Sequence, residues 1–190
     1  SQPCKYGWNY RKKISFYNSG PILRNFQVEF KLPTASLVSN SKAQSDASDI
    51  RIVDSLGLDL DFWIDDDTYN TSSTSFWVKV DSLTAGGNTS IFLFYGKTGE
   101  VSQSDGASTF ELFDDFNASV LSTQWSTCDD YSRIGFSNGN LNISSGTNEN
   151  ASIISNQIFS DTDPVFIEMD LVSVNQGNLL FGIESSSLAS

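Results

Sequence analysis

Residues 76–96 decide the fold and read Phe-Trp-Val-Lys-Val-Asp-Ser-Leu-Thr-Ala-Gly-Gly-Asn-Thr-Ser-Ile-Phe-Leu-Phe-Tyr-Gly. Phe76, Val78 and Val80 fall on one face of a strand, and this period of two predicts that one face is buried. The five apolar residues that begin at Ile91 are typical of a strand covered on both faces. The Gly-Gly-Asn between the two runs suits a chain reversal. We therefore predict a hairpin that forms the central pair of a β-sandwich.

Short strands separated by turns precede this hairpin. Alternating or apolar runs occur at 6–17, 25–32, 49–54 and 58–64. The polar stretch 34–48 is predicted as a loop or as a short helix around 41–47. Because the pattern contains no convincing helix, it indicates an all-β sandwich.

The composition changes after residue 96. Residues 97–108 are rich in Gly, Ser, Thr and Asp and have no apolar periodicity, which is typical of a linker. Strand patterns resume further on, at 141–143, 151–154, 164–174 and 179–183. We predict a sandwich domain over 1–98, a linker over 99–108 and a second β domain over 109–190. That second domain would have unpaired edges, so we expect it to be incomplete or to be completed by another chain.

Charge and composition exclude several classes of function. The net charge is −12 and the pI is about 4.1, which argues against nucleic acid and anionic membrane surfaces as partners. The sequence has no His, the commonest general base and a frequent zinc ligand. It has no apolar run of about 18 residues, so we expect no membrane insertion in this segment. Its opening Ser-Gln-Pro-Cys would suit a mature N-terminus left after signal cleavage.

Cysteines and glycosylation motifs favour a secreted or cell-surface location. Cys4 and Cys128 are the only two cysteines, and a disulfide between them is one interpretation; two buried free thiols are the other. Asn-x-Ser/Thr motifs, which are acceptors for N-glycans in exported proteins, occur at Asn70, Asn88, Asn117, Asn142 and Asn150. Unglycosylated surface loops remain the alternative.

Acidic residues form two candidate ligand groups. Asp65, Asp66 and Asp67 follow the strand at 58–64, and calcium takes about six to eight oxygen ligands from such loops. Asp114 and Asp115 form the second candidate metal site. The spacing of an EF-hand is absent, so a calcium site and a solvated acidic edge both stay open.

Aromatic residues and paired acids suggest glycan chemistry. Any of the four Trp residues could stack on a sugar ring or belong to the core, and Trp63 is the best candidate because it lies beside Asp65. Glycoside hydrolysis needs two acids at a defined separation, and only Glu168-Met169-Asp170 approaches that pattern. We therefore expect a protein that is not an enzyme, and a fragment of a polysaccharide-degrading enzyme is the weaker alternative.

Four stretches in order carry a resemblance to a known family. They are Trp8-Asn9-Tyr10-Arg11-Lys12-Lys13-Ile14, Asn25-Phe26-Gln27-Val28, Asp49-Ile50-Arg51-Ile52-Val53-Asp54-Ser55-Leu56-Gly57, and 76–97. Over residues 5–98 the chain resembles domain of unknown function 2341. Asp81 and Lys97 depart from the residues that the family usually has there.

The second segment is similar to the start of concanavalin A-like, laminin-G-like jelly rolls. Phe113-Asp114-Asp115-Phe116, Trp125, Gly139-Asn140-Leu141 and Phe181-Gly182-Ile183 carry this similarity. Proteins with this pairing are typically prokaryotic, often archaeal, and secreted or on the cell surface. The resemblance implies adhesion or binding to an extracellular glycan or surface protein. The open-ended second domain suggests an alternative, a subunit of an extracellular filament or surface layer assembled by strand exchange.

Overall fold

The computed structural model describes residues 2–129, 132–144 and 151–159, and the single positions 167, 169, 171, 172 and 182. Contacts divide the chain into two units, Ser1–Asp114 and Asp115–Ser190. Nearly all of the regular structure is antiparallel β, which confirms the all-β fold class. The predicted strands at 164–174 and 179–183 lie outside the described residues, apart from isolated positions.

The first unit is a sandwich of two three-stranded antiparallel sheets. Its strands are β1 Tyr10–Asn18, β2 Leu23–Leu32, β3 Arg51–Val53, β4 Phe62–Ile64, β5 Thr74–Leu83 and β6 Gly87–Tyr95. Its helices are α1 Thr34–Ser39 and α2 Gly106–Thr109. One sheet has the strand order β1-β6-β3 and the other has the order β2-β5-β4. The predicted helix around 41–47 is therefore displaced to α1, at the start of the same polar stretch.

Strands β5 and β6 are central, as predicted, but they do not form a hairpin. β5 pairs with β2 and β4, whereas β6 pairs with β1 and β3. The residues 84–86 carry the chain from one sheet to the other. This crossing places β5 and β6 face to face in different sheets. Phe76 and Val78 of β5 and Ile91 and Leu93 of β6 can therefore bury their side chains in one core cluster between the sheets. The prediction of a hydrogen-bonded hairpin was wrong, and the prediction of a central pair was right.

The other face of β6 explains why that strand is apolar throughout. Phe92 and Phe94 point away from the main core and form a smaller buried cluster with Val53. Trp8, from the segment before β1, packs on this cluster. Both faces of β6 are therefore covered, as its sequence predicts.

The second unit contains two antiparallel strand pairs in its described part. Its strands are β7 Trp125–Asp129, β8 Ile134–Ser137, β9 Asn140–Ile143 and β10 Ala151–Ser155. β7 pairs with β10, and β8 pairs with β9. Asn138 and Gly139 form the tight turn between β8 and β9 with positive φ angles of 54° and 73°. A turn at 138–140 is therefore confirmed.

The disulfide interpretation is not borne out. Cys4 and Cys128 are both free and exposed, so neither is a buried thiol either. They belong to different units, Cys4 before β1 and Cys128 within β7. No helix in the described parts of either unit combines the length and apolar character that a bilayer crossing requires.

Candidate functional site

A polar cleft of about 480 Å³ lies on the β3–β4 side of the first unit. One wall comes from the chain around β3 and β4, and the other comes from residues 102–108. The polar residues that line the cleft are Arg51, Asp59, Asp61, Ser102, Gln103, Ser104, Asp105 and Ser108. Because these groups both donate and accept hydrogen bonds, the cleft suits a polar ligand.

Residues 99–114, which we call the strap, build the second wall. Ser104 makes a parallel bridge with Phe62 of β4. The backbone N–H of Asp105 donates to the Phe62 carbonyl at 2.8 Å, and the Ile64 N–H donates to Ser104 Oγ at 2.8 Å. The strap thus continues the sheet beyond β4 and covers an edge that would otherwise be open.

Aromatic contacts then hold the strap on the outer face of the β2-β5-β4 sheet. The Trp63 ring lies 5.0 Å from the Phe113 ring and 6.0 Å from the Phe110 ring, centroid to centroid. Trp77 lies 5.4 Å from Phe110. These edge-to-face geometries are favourable for aromatic pairs. Both tryptophans alternate with buried residues along their strands, so they point outward and depend on the strap for cover.

Two further contacts explain why the strap follows this path. Gln27 of β2 donates from Nε2 to the Thr109 carbonyl at 2.9 Å, so the strap reaches the far strand of the sheet. A Cβ added at Gly106 would lie 2.4 Å from the Phe113 ring. The ring therefore occupies the space that any larger residue at 106 would need.

This packing changes the interpretation of two sequence features. Residues 99–108, predicted as a linker, belong by their contacts to the first unit, and that unit ends at Asp114 rather than at 98. Trp63, predicted as a ligand platform, is half-buried against strap side chains. Ligand binding at Trp63 stays a prediction, and the structure gives its ring a packing role.

Asp65, Asp66 and Asp67 form a turn after β4. The Asp65 Oδ1 accepts from the Asp67 N–H at 3.1 Å, and the Asp65 carbonyl accepts from the Thr68 N–H at 3.0 Å. The Asp66 and Asp67 side chains are exposed. None of these three aspartates is among the residues that line the cleft.

Arg51 joins the two walls of the cleft. The buried guanidinium donates from Nη1 to the carbonyls of Ser48 and Ile50, at 3.0 and 2.6 Å. Its Nη2 donates to Glu100 Oε2 and to the Val101 carbonyl, both at 3.0 Å. Glu100 also pairs with Lys97 at 2.7 Å. The hydrogen bond from Lys97, with the nearby charge of Arg51, lowers the pKa of Glu100, so this carboxylate stays ionised beside its two cations.

The N-terminal segment is tied to the same region through Trp8. Its Nε1 donates to the carbonyl of Asp49 at 2.8 Å. The ammonium of Lys97 lies 4.1 Å from the Trp8 ring centroid, and the Arg51 guanidinium lies 5.4 Å from it. Lys5 pairs with Asp59 in the cleft wall at 2.5 Å. These contacts leave Asp61 as a cleft carboxylate with no hydrogen bond or ion pair inside the described ranges.

The described residues contain no cluster of side chains arranged to bind a metal ion. Across residues 2–129 and the other described positions, no group of three or more His, Cys, Asp or Glu side chains could hold an ion. At the predicted calcium site, the Asp115 carboxylate accepts from the backbone N–H and Nδ2 of Asn117, at 3.1 and 2.9 Å. Local turn geometry therefore accounts for the position of Asp115.

The predicted glycan acceptors are accessible where the structure describes them. Asn70, Asn88, Asn117 and Asn142 are all exposed. Asn150 lies outside the described residues. Glycosylation at these positions stays a prediction, and nothing in their burial opposes it.

Residues 46–128 match the family described as "Domain of unknown function (DUF2341)". The match confirms the family resemblance over 46–98 and covers a little under half of the chain. It also runs through the whole strap, so the strap lies inside the matched region. No curated protein and no solved structure matches the chain. Similarity therefore bears on β3–β6, the strap and residues 115–128 of the second unit, and it names no activity.

Acid is expected to loosen the strap through Asp105. This residue caps α2, where its carboxylate accepts from the side chain of Ser108 at 2.8 Å and from the backbone N–H of Ser108 at 3.2 Å. Those bonds lower the pKa of Asp105 from its ordinary value of 3.8. The cap therefore contributes stability above that ordinary value and loses it as the pH falls through the lowered value.

Tryptophan fluorescence during acid titration can follow this release, because Trp63 and Trp77 lie under the strap. Asp105→Asn keeps a capping oxygen that does not titrate, at a cost of about 1 kcal/mol or less. We expect the acid-dependent signal to be smaller in this variant. An unchanged acid transition in Asp105→Asn would show that other carboxylates control it.

Proposed function

We propose that the chain is a non-catalytic binding and adhesion module outside the cell, and that the cleft of the first unit takes a hydroxyl-rich glycan. The observation that carries this proposal is the lining of the cleft. Asp61 offers an unpaired acceptor, while Gln103 and Ser102 offer both donors and acceptors. Sugar hydroxyls need such mixed partners, and ligand sites are usually concave with a few convergent polar groups.

The proposal also includes a location outside the cell and a fold for the second unit. Four exposed N-glycosylation motifs and an acidic surface support a secreted or cell-surface glycoprotein. We also infer that the second unit begins a concanavalin A-like jelly roll. The two antiparallel strand pairs in its described part are consistent with such a fold.

Glycan binding can be tested with two cleft variants. We expect Gln103→Ala and Asp61→Asn each to weaken binding of the best array ligand roughly 10-fold or more, because the first removes a side-chain amide and the second replaces a charged acceptor with a neutral amide. A glycan array followed by calorimetry measures the change. Asp81→Asn is the matched control, since Asp81 is an exposed carboxylate of β5 that does not line the cleft. Absence of binding to any glycan, or equal loss in the control, would contradict the proposal.

A second candidate function is a structural subunit of an extracellular filament or surface layer. The supporting observation is that β1 and β2, with nine and ten residues, are outer strands of the two sheets. They lie on the same side of the sandwich, where the Phe16 ring of β1 is 6.2 Å from the Phe30 ring of β2. Within the described part of the chain no strand pairs with their outer edges. Long open edges are sites where another chain can associate.

A further inference from the structure

Charge is unevenly divided between the two sides of the first unit. One side is formed by β1 and β2, the outer strands of their sheets. These two strands contain five of the 11 basic residues of the whole chain and one acidic residue, Glu29. The five are Arg11, Lys12, Lys13, Arg24 and Lys31. We call this side the basic edge.

The opposite side carries the opposite charge. It is formed by β3 and β4, the other outer strands of the same two sheets, and by the strap that lies along β4. Residues 46–67, which contain both strands and their flanking turns, include eight aspartates and a single basic residue, Arg51; seven of these aspartates reach the surface, and Asp49 is buried. We call this side the acidic edge. A chain of net charge −12 thus places nearly half of its cations on one edge, away from most of the aspartates of the unit.

Both edges keep charges that no neighbour neutralises. Lys12, Lys13 and Arg24 are exposed and have no ion pair or hydrogen bond from their side chains within the described residues. On the acidic edge, Asp66 and Asp67 are exposed, and their carboxylates have no partner among the described residues. Other charges of the two edges are paired locally, since Lys31 pairs with Glu29 in the basic edge and Asp59 of the acidic edge pairs with Lys5.

We propose that the basic edge of one molecule docks on the acidic edge of a second copy of this chain. A second copy fits because the molecule itself supplies both complementary surfaces, and opposite potentials steer association. The two surfaces differ, so the contact is heterologous and repeats head to tail, which builds rings or open filaments. This inference rests on the second candidate function, for which it names the partner. Because Asp59 and Asp61 of the acidic edge also line the cleft, a docked copy would lie over the cleft.

The residues of β1 favour docking of the second copy through side-chain contacts, and they disfavour pairing of one of its strands with the backbone of β1. Ile14 and Phe16 of β1 pack against the core, and alternation places Lys12 on the same inward side. An inward-pointing lysine on an edge strand discourages continuous sheet pairing between chains. The same lysine is exposed and remains available to a carboxylate.

The first test is the salt dependence of self-association, measured by sedimentation of the 190-residue chain. We expect oligomers at low ionic strength that dissociate at about 0.5 M salt. Lys12→Gln with Lys13→Gln should raise the dissociation constant roughly 10-fold. The matched control, Ala85→Glu with Thr98→Glu, makes the same change in net charge at two exposed loop positions outside both edges and should have a much smaller effect.

A charge-swap experiment separates the two edges. Lys12→Glu with Lys13→Glu, and Asp66→Lys with Asp67→Lys, should each be monomeric alone and should associate when mixed, because the mixture restores opposite charges. Circular dichroism confirms that the variants fold. Association that ignores salt and all four substitutions would overturn the inference but leave the second candidate function standing. A monomer under every condition would overturn both.

Discussion

A chain ended after Thr98 is expected to lose at least about 3 kcal/mol of unfolding free energy relative to a chain ended after Asp114. The shorter chain keeps all six strands of the sandwich but lacks the strap. Trp63 and Trp77 would then meet water in place of Phe110 and Phe113. Exposure of these two indole rings to water lowers the unfolding free energy and promotes association between molecules.

The same truncation also breaks the hydrogen bonding of a buried cation. Arg51 is 8% exposed, and two of its four hydrogen bonds go to Glu100 and Val101 of the strap. Leaving a buried charged donor without partners costs about 1–3 kcal/mol or more. Urea unfolding monitored by tryptophan fluorescence gives the difference between the two chains.

Point variants of the intact chain provide the control for this truncation. Phe113→Ala should expose the Trp63 ring, shift its emission to longer wavelength and speed proteolysis within the strap. Phe116→Ala removes the same side chain three residues later, in the second unit, where its ring contacts Trp125. If the chain ended after Thr98 unfolds at the same urea concentration as the longer chain, the strap is not part of the folded unit.

Replacement of Asp49 is expected to have a comparably large effect. This carboxylate has no exposed surface, and it accepts from the Gly96 N–H at 2.6 Å and from the Gln44 N–H at 3.0 Å. Asp49→Ala leaves both partly buried amides without their acceptor and opens a cavity at a fully buried position, so we expect a loss of about 3 kcal/mol. The same backbone holds the N-terminal segment through the Trp8 indole.

Asp46→Ala is the matched control for Asp49. Asp46 is an exposed aspartate three residues earlier whose carboxylate accepts from the Ser48 N–H, and its loss should cost about 1 kcal/mol or less. Asp49→Asn keeps one acceptor oxygen and should fall between the two. Thermal unfolding of the three variants ranks them, and equal stability of Asp49→Ala and Asp46→Ala would refute the structural role given to Asp49.

Local alternation was enough to predict the strands and their buried faces, because each depends on neighbouring residues. Phe76, Val78 and Val80 are buried as their spacing predicts. Pairing was not predictable in the same way. A turn after β5 suits both a hairpin and a crossing between sheets, and the choice depends on partners such as β2, far away in the sequence.

The site was the harder part, since a sequence does not say what covers an outward-facing side chain. The alternating pattern of β4 predicts that Trp63 points outward, and it is the same whether a sugar or Phe113 packs on the ring. The strap has no strand periodicity, so its composition resembled that of a linker. Its signals are sparse, namely Asp105 as a helix cap and two phenylalanines three residues apart. Arg51 and Gln103 gave no local signal for a cleft.

The pairing of β1 with β6 has a consequence for how the molecule is made. Tyr10 lies opposite Tyr95, and Leu23 of β2 lies opposite Leu83 of β5. A ribosome must therefore release most of the first unit before either long strand pair can close. Folds dominated by such distant pairings fold slowly, on timescales of about milliseconds to seconds. The nascent polypeptide thus has an extended interval in which chaperones can bind it before the sheets assemble.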